Sequence, residues 1–233
     1  SFGMGVFGVA FATLLAQALS AVLCVIYTFI RKPELRLKKS DFAFDKKMLT
    51  MMLKFGIPTA IQQALVSVGM MAVQGLVNSY GYEFMAGYAA AGKIDSFAMM
   101  PLMNFGLAMS SYTGQNIGAG KFDRIKQGLK STLILSVGLC VLISAIILST
   151  SQFLMQLFVD ADQTFIISVG IQYLAVVSLS YFLMAIMHSY LGLLRGAGDV
   201  LFTMLSSLVV VVVRAPLAYL FAAIPSIGAG GIW

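Results

Sequence analysis

Charge, cysteine and histidine are all scarce in this sequence, and each shortage excludes a class of protein. Charged residues make up 10% of the 233 residues, against about 25% in a typical soluble domain. Hydrophobic residues make up 60%, which leaves too little polar surface for a water-soluble fold and indicates a lipid bilayer as the solvent. Cys24 and Cys140 lie in apolar runs, so no disulfide framework is expected. His188 is the only histidine, so no metal site is predicted, and we interpret it as hydrogen-bonded scaffold.

The net charge of +6 does not indicate a nucleic-acid partner. The basic residues stand in short clusters between long apolar runs, rather than across one polar face. The sequence begins at Ser1 without a signal peptide and ends at Trp233 within an apolar pattern. We therefore expect the chain to be an internal fragment of a longer protein.

Long apolar runs predict membrane-spanning helices. A spanning helix needs about 20 mostly apolar residues, and helices satisfy every backbone polar group internally, as lipid requires. Lysine, arginine and acidic residues are present in only two of the runs, which contain Lys93 and Asp95 in one case and Arg214 in the other. The expected fold class is therefore an all-α integral membrane protein with six transmembrane helices. The six candidate spans are residues 3–30, 55–79, 85–113, 131–158, 164–194 and 201–223.

Lysine and arginine divide unequally between the connecting segments. Thirteen of the 15 lie in alternate connectors, and none lies in the connectors between them. Connectors rich in these residues stay in the cytoplasm, so both ends of the chain are predicted near the outer face. The cytoplasmic connectors are residues 31–54, 114–130 and 195–200, and the outer ones are 80–84, 159–163 and 224–230.

The segment QNIGAGKFDR, residues 115–124, resembles a phosphate-binding loop but fails its spacing. A loop of the form GxxxxGK[ST] that starts at Gly114 needs glycine at its sixth position, where Ala119 stands. Lys121 is in addition followed by Phe122 and not by Ser or Thr. We interpret the segment as a cytoplasmic turn between two helices.

Two predicted turns have the same sequence pattern, in which glycines are followed by an aspartate. Glycines that take the left-handed conformation can end a helix, and an aspartate just beyond them can cap the next helix. The segment LRGAGDV, residues 194–200, repeats the GAG of the first turn. The expected turn residues are Gly118 and Gly120 with the capping Asp123, and Gly196 and Gly198 with the capping Asp199.

The two ends of the chain share the pattern G-x-x-G-[VI]-x. It reads GVFGVA at residues 5–10 and GAGGIW at residues 228–233. Six predicted spans lie between the two copies, and an even number makes the repeat parallel rather than inverted. The repeat predicts a complete protein of two six-helix lobes.

Several motifs together resemble the second half of a multidrug and toxic compound extrusion (MATE) transporter. The resemblance covers essentially the whole chain, with the motifs in order and on matching membrane faces. The motifs are FGIP at 55–58, QNIGAG at 115–120, LRGAGD at 194–199, RAPLAYL at 214–220 and GAGGIW at 228–233.

The resemblance implies a twelve-helix, two-lobed antiporter in the plasma membrane. A bacterial cytoplasmic membrane is the expected location. Such a protein exports small organic, often cationic compounds in exchange for H⁺ or Na⁺ by alternating access, with no cofactor beyond the coupling ion. Residues 1–30 would be the last helix of the first lobe, 31–54 a basic cytoplasmic linker, and 55–233 the first five helices of the second lobe. The remaining lobe of the same protein and the lipid bilayer are then its expected partners.

Asp95 is the leading candidate for ion or proton coupling, because carboxylates inside a membrane are costly and usually functional. It lies about ten residues, or roughly 15 Å, into its predicted span. A structural hydrogen bond or ion pair, or contact with substrate, are the alternatives. Lys93 cannot face Asp95 on the same helix, because residues two apart point in different directions. Lys93 is therefore expected to extend outward or to meet another helix, and it is also a candidate for the lining of a substrate cavity.

Uncharged polar residues in the spans are candidates for a substrate cavity or for contacts between helices. Gln62, Gln63 and Asn104 belong to this group. Some MATE members carry a glutamate in the region where these glutamines stand, and some carry an aspartate in the region of residues 164–194, which has no carboxylate. Because this sequence lacks both carboxylates in the matching regions, the Na⁺ site of those members is not expected in this lobe.

Met99 and Met103 follow Asp95 in a cluster rich in methionine and phenylalanine. Thioethers and aromatic rings suit a pocket for flat cations, and packing against lipid or protein is the alternative. Pro101 removes a helical hydrogen bond six residues after Asp95 and is a candidate hinge.

Two other functions compete with the transporter interpretation. A lipid-linked oligosaccharide flippase of related architecture would need several cavity-facing cations, whereas Lys93 and Arg214 are the only ones within the predicted spans. A non-transporting membrane scaffold would need no ionisable group near the membrane midplane, where Asp95 is predicted. An enzyme is not expected, because the sequence shows no converging nucleophile, metal or carboxylate set.

Overall fold

The computed structural model describes residues 5–31, 43–224 and 228–232. Within these ranges the chain is helical and contains no β-strand, which confirms the predicted all-α class. Most of the segment expected as a linker, residues 32–42, lies outside the described part, as does Trp233 of the terminal repeat. The six helices are α1 Gly5–Arg31, α2 Lys46–Ser79, α3 Tyr82–Gly118, α4 Phe122–Gln156, α5 Thr164–Gly196 and α6 Val200–Ala222, and a 3₁₀ turn covers Gly228–Ile232.

Five of the six helices are long and apolar enough to cross a membrane, and α3 is the exception. At 37 residues, α3 is the longest helix, so composition rather than length separates it from the others. It contains Glu83, Lys93 and Asp95, and eleven of its residues are buried. Because protein rather than lipid covers much of this helix, it can be more polar than its neighbours.

The helices extend beyond the predicted spans on the basic side. Helix α2 begins at Lys46 rather than at residue 55, and α4 begins at Phe122 rather than at residue 131. Hydropathy locates the lipid-facing part of a helix, while lysine, glutamine and arginine continue the helix readily in water. Asp45 caps α2, because its carboxylate accepts hydrogen bonds from the amides of Lys47 and Met48 at 2.8 and 3.1 Å.

The two GAG turns adopt the same backbone conformation, but only their second glycines are left-handed. Gly120 and Gly198 have φ of +68° and +87°. Gly118 and Gly196 are the last residues of α3 and α5, so the left-handed conformation predicted for them is wrong. The amides of the residues that follow each turn reach back to Asn116 and Leu194, at 2.9 Å in both cases, and close the helix ends.

Of the two predicted aspartate caps, the structure shows the one at Asp199 and not the one at Asp123. The carboxylate of Asp199 accepts a hydrogen bond from the amide of Phe202 at 3.1 Å and caps α6. Asp123 lies inside the first turn of α4, whose N-cap is Lys121, so the cap predicted at Asp123 is wrong. Its charge still lies near a helix N-terminus, where a negative charge is favourable.

The chain divides into two compact units, residues 1–50 and 51–233. The second unit is built on α3 and α5, which share the most extensive helix interface, while α4 packs against both. Small residues let α3 and α5 approach closely. A Cβ on Gly192 would press into the carbonyl oxygen of Gly106, and one on Gly87 would lie 2.7 Å from the carbonyl oxygen of Ile166.

Candidate functional site

Asp95 lies at the centre of the α3–α5 interface, where two tyrosines of α5 hold its carboxylate. The hydroxyl of Tyr181 donates to Oδ1 at 2.7 Å, and the hydroxyl of Tyr173 donates to Oδ2 at 3.2 Å. Asp95 is half-buried, while both tyrosines are buried. Hydrogen bonds from hydroxyl to carboxylate are short and strong when the acceptor is ionised, so this cluster, hereafter the Asp95–tyrosine site, is suited to hold a charged carboxylate.

The two tyrosines are presented by the same helix, two turns apart. Residues 173 and 181 differ by eight positions, which places them on one side of α5 about 12 Å apart along its axis. The long phenol side chains close this distance around the carboxylate. The ring of Tyr88 on α3 packs edge-on against Tyr173, with 5.2 Å between ring centroids, and this contact fixes the direction of the Tyr173 hydroxyl.

The sequence did not identify these tyrosines. Residues 164–194 contain no carboxylate, and their apolar pattern predicts only a membrane span. A buried tyrosine hydroxyl needs a hydrogen-bond partner, and Asp95 is the only acidic residue in the predicted spans. A tyrosine hydroxyl that needs an acceptor and a buried carboxylate that needs donors would together have predicted such a contact. They would not have predicted which tyrosines make it.

Lys93 takes no part in the Asp95–tyrosine site. Its side chain is exposed, and its ammonium group lies over the ring of Phe158, 5.5 Å from the ring centroid. Arg214 lines a cavity of about 370 Å³ with Leu217, Phe221 and the 3₁₀ turn, and its charge acts on Tyr88 and Tyr173 of the site. Of the two cations predicted within the spans, Lys93 is therefore the one that lies apart from the Asp95–tyrosine site.

The two predicted glutamines lie in different surroundings. Gln62 is buried, and its Nε2 donates to Oγ of Ser207 on α6 at 2.6 Å. Its Oε1 is buried without a partner among the described residues. Gln63 is exposed on the next position of α2. Gln62 therefore links two helices, which is one of the two roles predicted for these residues.

The residues that follow Asp95 on α3 divide between two faces. Met103 and Asn104 are exposed, and Asn104 donates its amide back to the carbonyl oxygen of Met100 at 2.9 Å. Met99 instead packs against the core that contains Tyr173 and Tyr181. The structure thus brings Met99 close to the Asp95–tyrosine site and places Met103 and Asn104 away from it.

The predicted hinge at Pro101 lies within a continuous helix. Helix α3 runs from Tyr82 to Gly118 with the proline inside it. Proline removes one backbone hydrogen bond from the helix and so weakens it at this position.

In the part of the chain that the structure describes, no group of three or more histidine, cysteine or acidic residues could hold a metal ion.

Sequence relatives of this chain include proteins described as probable multidrug resistance proteins. It is 28% identical over 234 residues to the probable multidrug resistance protein YoeA of Bacillus subtilis (strain 168), a match that covers 99% of this chain and 50% of the relative. It is 26% identical over 231 residues to the probable multidrug resistance protein NorM of Thermotoga maritima, covering 99% and 49%. The chain therefore spans about half the length of the curated relatives that it matches.

Solved structures show the same fold. The chain matches the outward-facing conformation of a multidrug resistance MATE family transporter of the MOP superfamily with a TM-score of 0.88 at 20% identity, covering 99% of this chain and 52% of that one. A crystal structure of MATE in complex with MaD5 matches with a TM-score of 0.83 at 21% identity, covering 99% and 51%. The family profile described as MatE matches residues 58–220, which is more than half of the sequence, and the chain therefore belongs to the MatE family.

Proposed function

We propose that the complete protein is a secondary active antiporter of a bacterial cytoplasmic membrane. In this proposal it exports small organic, often cationic compounds in exchange for H⁺ or Na⁺, and it alternates between outward-open and inward-open forms. Family membership supports transport. The observation that carries the coupling is the half-buried carboxylate of Asp95, held by hydroxyls of Tyr173 and Tyr181.

The geometry supports a coupling role because the carboxylate and its partners belong to different helices. Both oxygens of Asp95 accept a hydrogen bond. When the carboxyl gains a proton, one oxygen becomes a donor, and one tyrosine hydroxyl then has to turn and accept. A bound Na⁺ would likewise compete with a hydroxyl for an oxygen lone pair. Ion binding at Asp95 therefore changes the hydrogen bonds that link α3 to α5.

Tyr173 is the partner expected to yield first. Its hydrogen bond is 3.2 Å long, against 2.7 Å for Tyr181, and longer bonds are weaker. Oδ2 is therefore the oxygen at which we place the coupling ion. Tyr181 would keep the carboxylate in position while the ion exchanges.

The exposed face of α3 is the proposed contact surface for the organic compound. Phe97, Met100 and Met103 are 68%, 57% and 50% exposed, respectively, and Asn104 stands beside them. Aromatic faces attract organic cations, and thioethers adapt to varied shapes. This surface begins two residues after Asp95 but faces a different direction from the carboxylate, so a compound bound there would be linked to the coupling site through helix α3 and not by direct contact.

The test is transport by the complete gene product in proteoliposomes. Ethidium movement is followed under an imposed H⁺ gradient and, separately, under an imposed Na⁺ gradient. Asp95→Asn should reduce the rate to that measured without a gradient, because asparagine cannot bind either ion by charge. The matched control is Asp162→Asn, which removes a carboxylate from the α4–α5 connector and should keep wild-type transport. If Asp95→Asn keeps the wild-type rate and ion dependence, Asp95 is not the coupling residue.

A further inference from the structure

A second cavity, with a polar lining, lies on the side of α3 that carries Lys93, where α4 ends and α5 begins. Its volume is about 400 Å³, within the range of about 300–1,000 Å³ that is usual for small-ligand sites. Helix α3 contributes Tyr82 and Lys93, the turn contributes Phe158 and Asp160, and Gln156 and Gln163 come from the adjoining ends of α4 and α5. We call this the α3–turn cavity.

Lys93 supplies a cation that the described protein does not neutralise. Its ammonium group lies over the Phe158 ring, and it forms no ion pair with any residue in the described ranges. Lysines within predicted spans usually meet an anion or a polar cavity. An anionic group in the α3–turn cavity would provide the missing charge.

Asp160 adds the opposite charge to the wall of the same cavity. It forms no ion pair among the residues that the structure describes, so Lys93 and Asp160 are not in direct contact. The amides of Gln156 and Gln163 are neutral polar groups of the lining, and Gln163 is the N-cap of α5 without a side-chain capping bond. The cavity therefore offers a cation, a carboxylate and amide donors along one wall.

We propose that the α3–turn cavity binds the phosphoethanolamine headgroup of a membrane lipid. The phosphate is held by Lys93 and by the glutamine amides, because ammonium and amide N–H groups donate to phosphate oxygens. The ammonium of the headgroup is held by the carboxylate of Asp160, because the ring of Phe158 already lies against the ammonium group of Lys93. A purely anionic lipid leaves Asp160 without a partner, and a bulky quaternary ammonium cannot donate a hydrogen bond to it.

The position favours a lipid over a dissolved compound. The cavity lies where α4 ends and α5 begins, and the connector between them is predicted at the outer membrane face, where headgroups are found. Phe153 and Leu157, on the last turns of α4, are 63% and 61% exposed and offer an apolar surface for the acyl chains. Tyr82 is exposed at the rim, at the level where aromatic residues meet headgroups.

This site is independent of the proposed coupling at Asp95. Residues two apart on a helix face different directions, and Asp95 points to α5 while Lys93 points to the α4–α5 turn. The lipid site could therefore be absent while coupling is present, or the reverse, and the measurement below needs no transport.

The test is native mass spectrometry of the complete gene product, purified in detergent and mixed with equal amounts of phosphatidylethanolamine, phosphatidylglycerol and phosphatidylcholine. We expect the wild type to retain one phosphatidylethanolamine more than Lys93→Gln under collisional activation. Lys93→Arg should retain this lipid, because it keeps the charge. Lys126→Gln, which removes a lysine from the predicted cytoplasmic side, should match the wild type.

A second variant tests the zwitterionic part of the proposal. Asp160→Asn should still retain a phospholipid but should lose the preference for phosphatidylethanolamine over phosphatidylglycerol. The proposal is overturned if Lys93→Gln retains as many lipids as the wild type, or if Asp160→Asn keeps the full preference.

Soluble glycerophosphoethanolamine separates the two sources of this headgroup. Its displacement of the retained lipid from the wild type and from Lys126→Gln alike supports headgroup recognition at the cavity. If glycerophosphoethanolamine binds the wild type while the retained lipid count stays unchanged and insensitive to Lys93→Gln, the free compound rather than a lipid occupies the site, and the lipid assignment is wrong.

Discussion

Tyr181 of α5 donates a 2.7 Å hydrogen bond to Oδ1 of Asp95 on α3, and this bond joins residues 86 positions apart in the chain. Tyr173 supplies the second hydroxyl at 3.2 Å. The carboxylate is thus anchored to the neighbouring helix at both oxygens. Each tyrosine can be tested by removing only its hydroxyl, because phenylalanine keeps the ring and its packing.

Tyr181→Phe should destabilise the protein more than Tyr173→Phe. A hydrogen bond to a charged group contributes about 1.5–3 kcal/mol, and the shorter bond of Tyr181 is expected at the upper part of this range. The measurement is the free energy of unfolding in mixed micelles titrated with sodium dodecyl sulfate. Tyr190→Phe on the same helix, whose side chain is exposed, is the control and should change little. Equal losses in all three variants would contradict the site geometry.

Gly192→Ala should destabilise the packing of α5 on α3. A Cβ at this position would press into the carbonyl oxygen of Gly106, and overpacking typically costs about 1–3 kcal/mol. Gly138→Ala on α4 is the matched change, because nothing lies within 4 Å of a Cβ there. It should be neutral or should stabilise α4 by up to about 1 kcal/mol, since alanine favours helix. The same unfolding titration measures both variants, and a smaller loss at Gly192 than at Gly138 would refute the close approach.

Asp199→Ala should loosen the first turn of α6, whereas Asp123→Ala should affect α4 less. Asp199 caps α6 through its bond to the Phe202 amide, and loss of such a cap costs about 0.5–2 kcal/mol. Asp123 makes only a charge interaction with its helix end, worth about 0.3–1 kcal/mol. Amide hydrogen exchange at residues 200–203 and 122–126 measures the opening of each turn. Similar acceleration in both turns would show that the Asp199 bond does not act as a cap.

The predicted membrane orientation can be tested by cysteine labelling in intact cells. With Cys24 and Cys140 replaced by alanine, single cysteines at Lys126 and Gly198 should react only after the membrane is permeabilised. Cysteines at Tyr82 and Asp162 should react with a membrane-impermeant maleimide from outside. The uneven distribution of lysine and arginine is the physical basis. One position that reacts from the opposite side would overturn the six-span topology. Lys39 and Ser226, which would extend the same test, lie outside the described residues.

The sequence by itself determined the helical architecture, because in lipid the backbone must bond to itself and an apolar run therefore has to be a helix. It also located the two GAG turns: Gly120, Gly198 and Asp199 act locally, and local chemistry can be predicted from neighbours in the chain. It did not fix the helix ends, since Lys46 and Phe122 begin helices well outside the apolar runs. Hydropathy reports contact with lipid and does not report backbone hydrogen bonding.

The tertiary structure decided which distant residues meet. Asp95 was predicted as a candidate from its position alone, but its partners Tyr173 and Tyr181 depend on how α3 rotates against α5. The same rotation directs Lys93 to the α3–turn cavity and away from Asp95. The close approach of Gly192 to Gly106 sets that rotation, because only small residues allow the two backbones so near. Apolar residues around the whole of a membrane helix give no periodic signal of which side faces its neighbour, so the pairing emerges only when the helices pack.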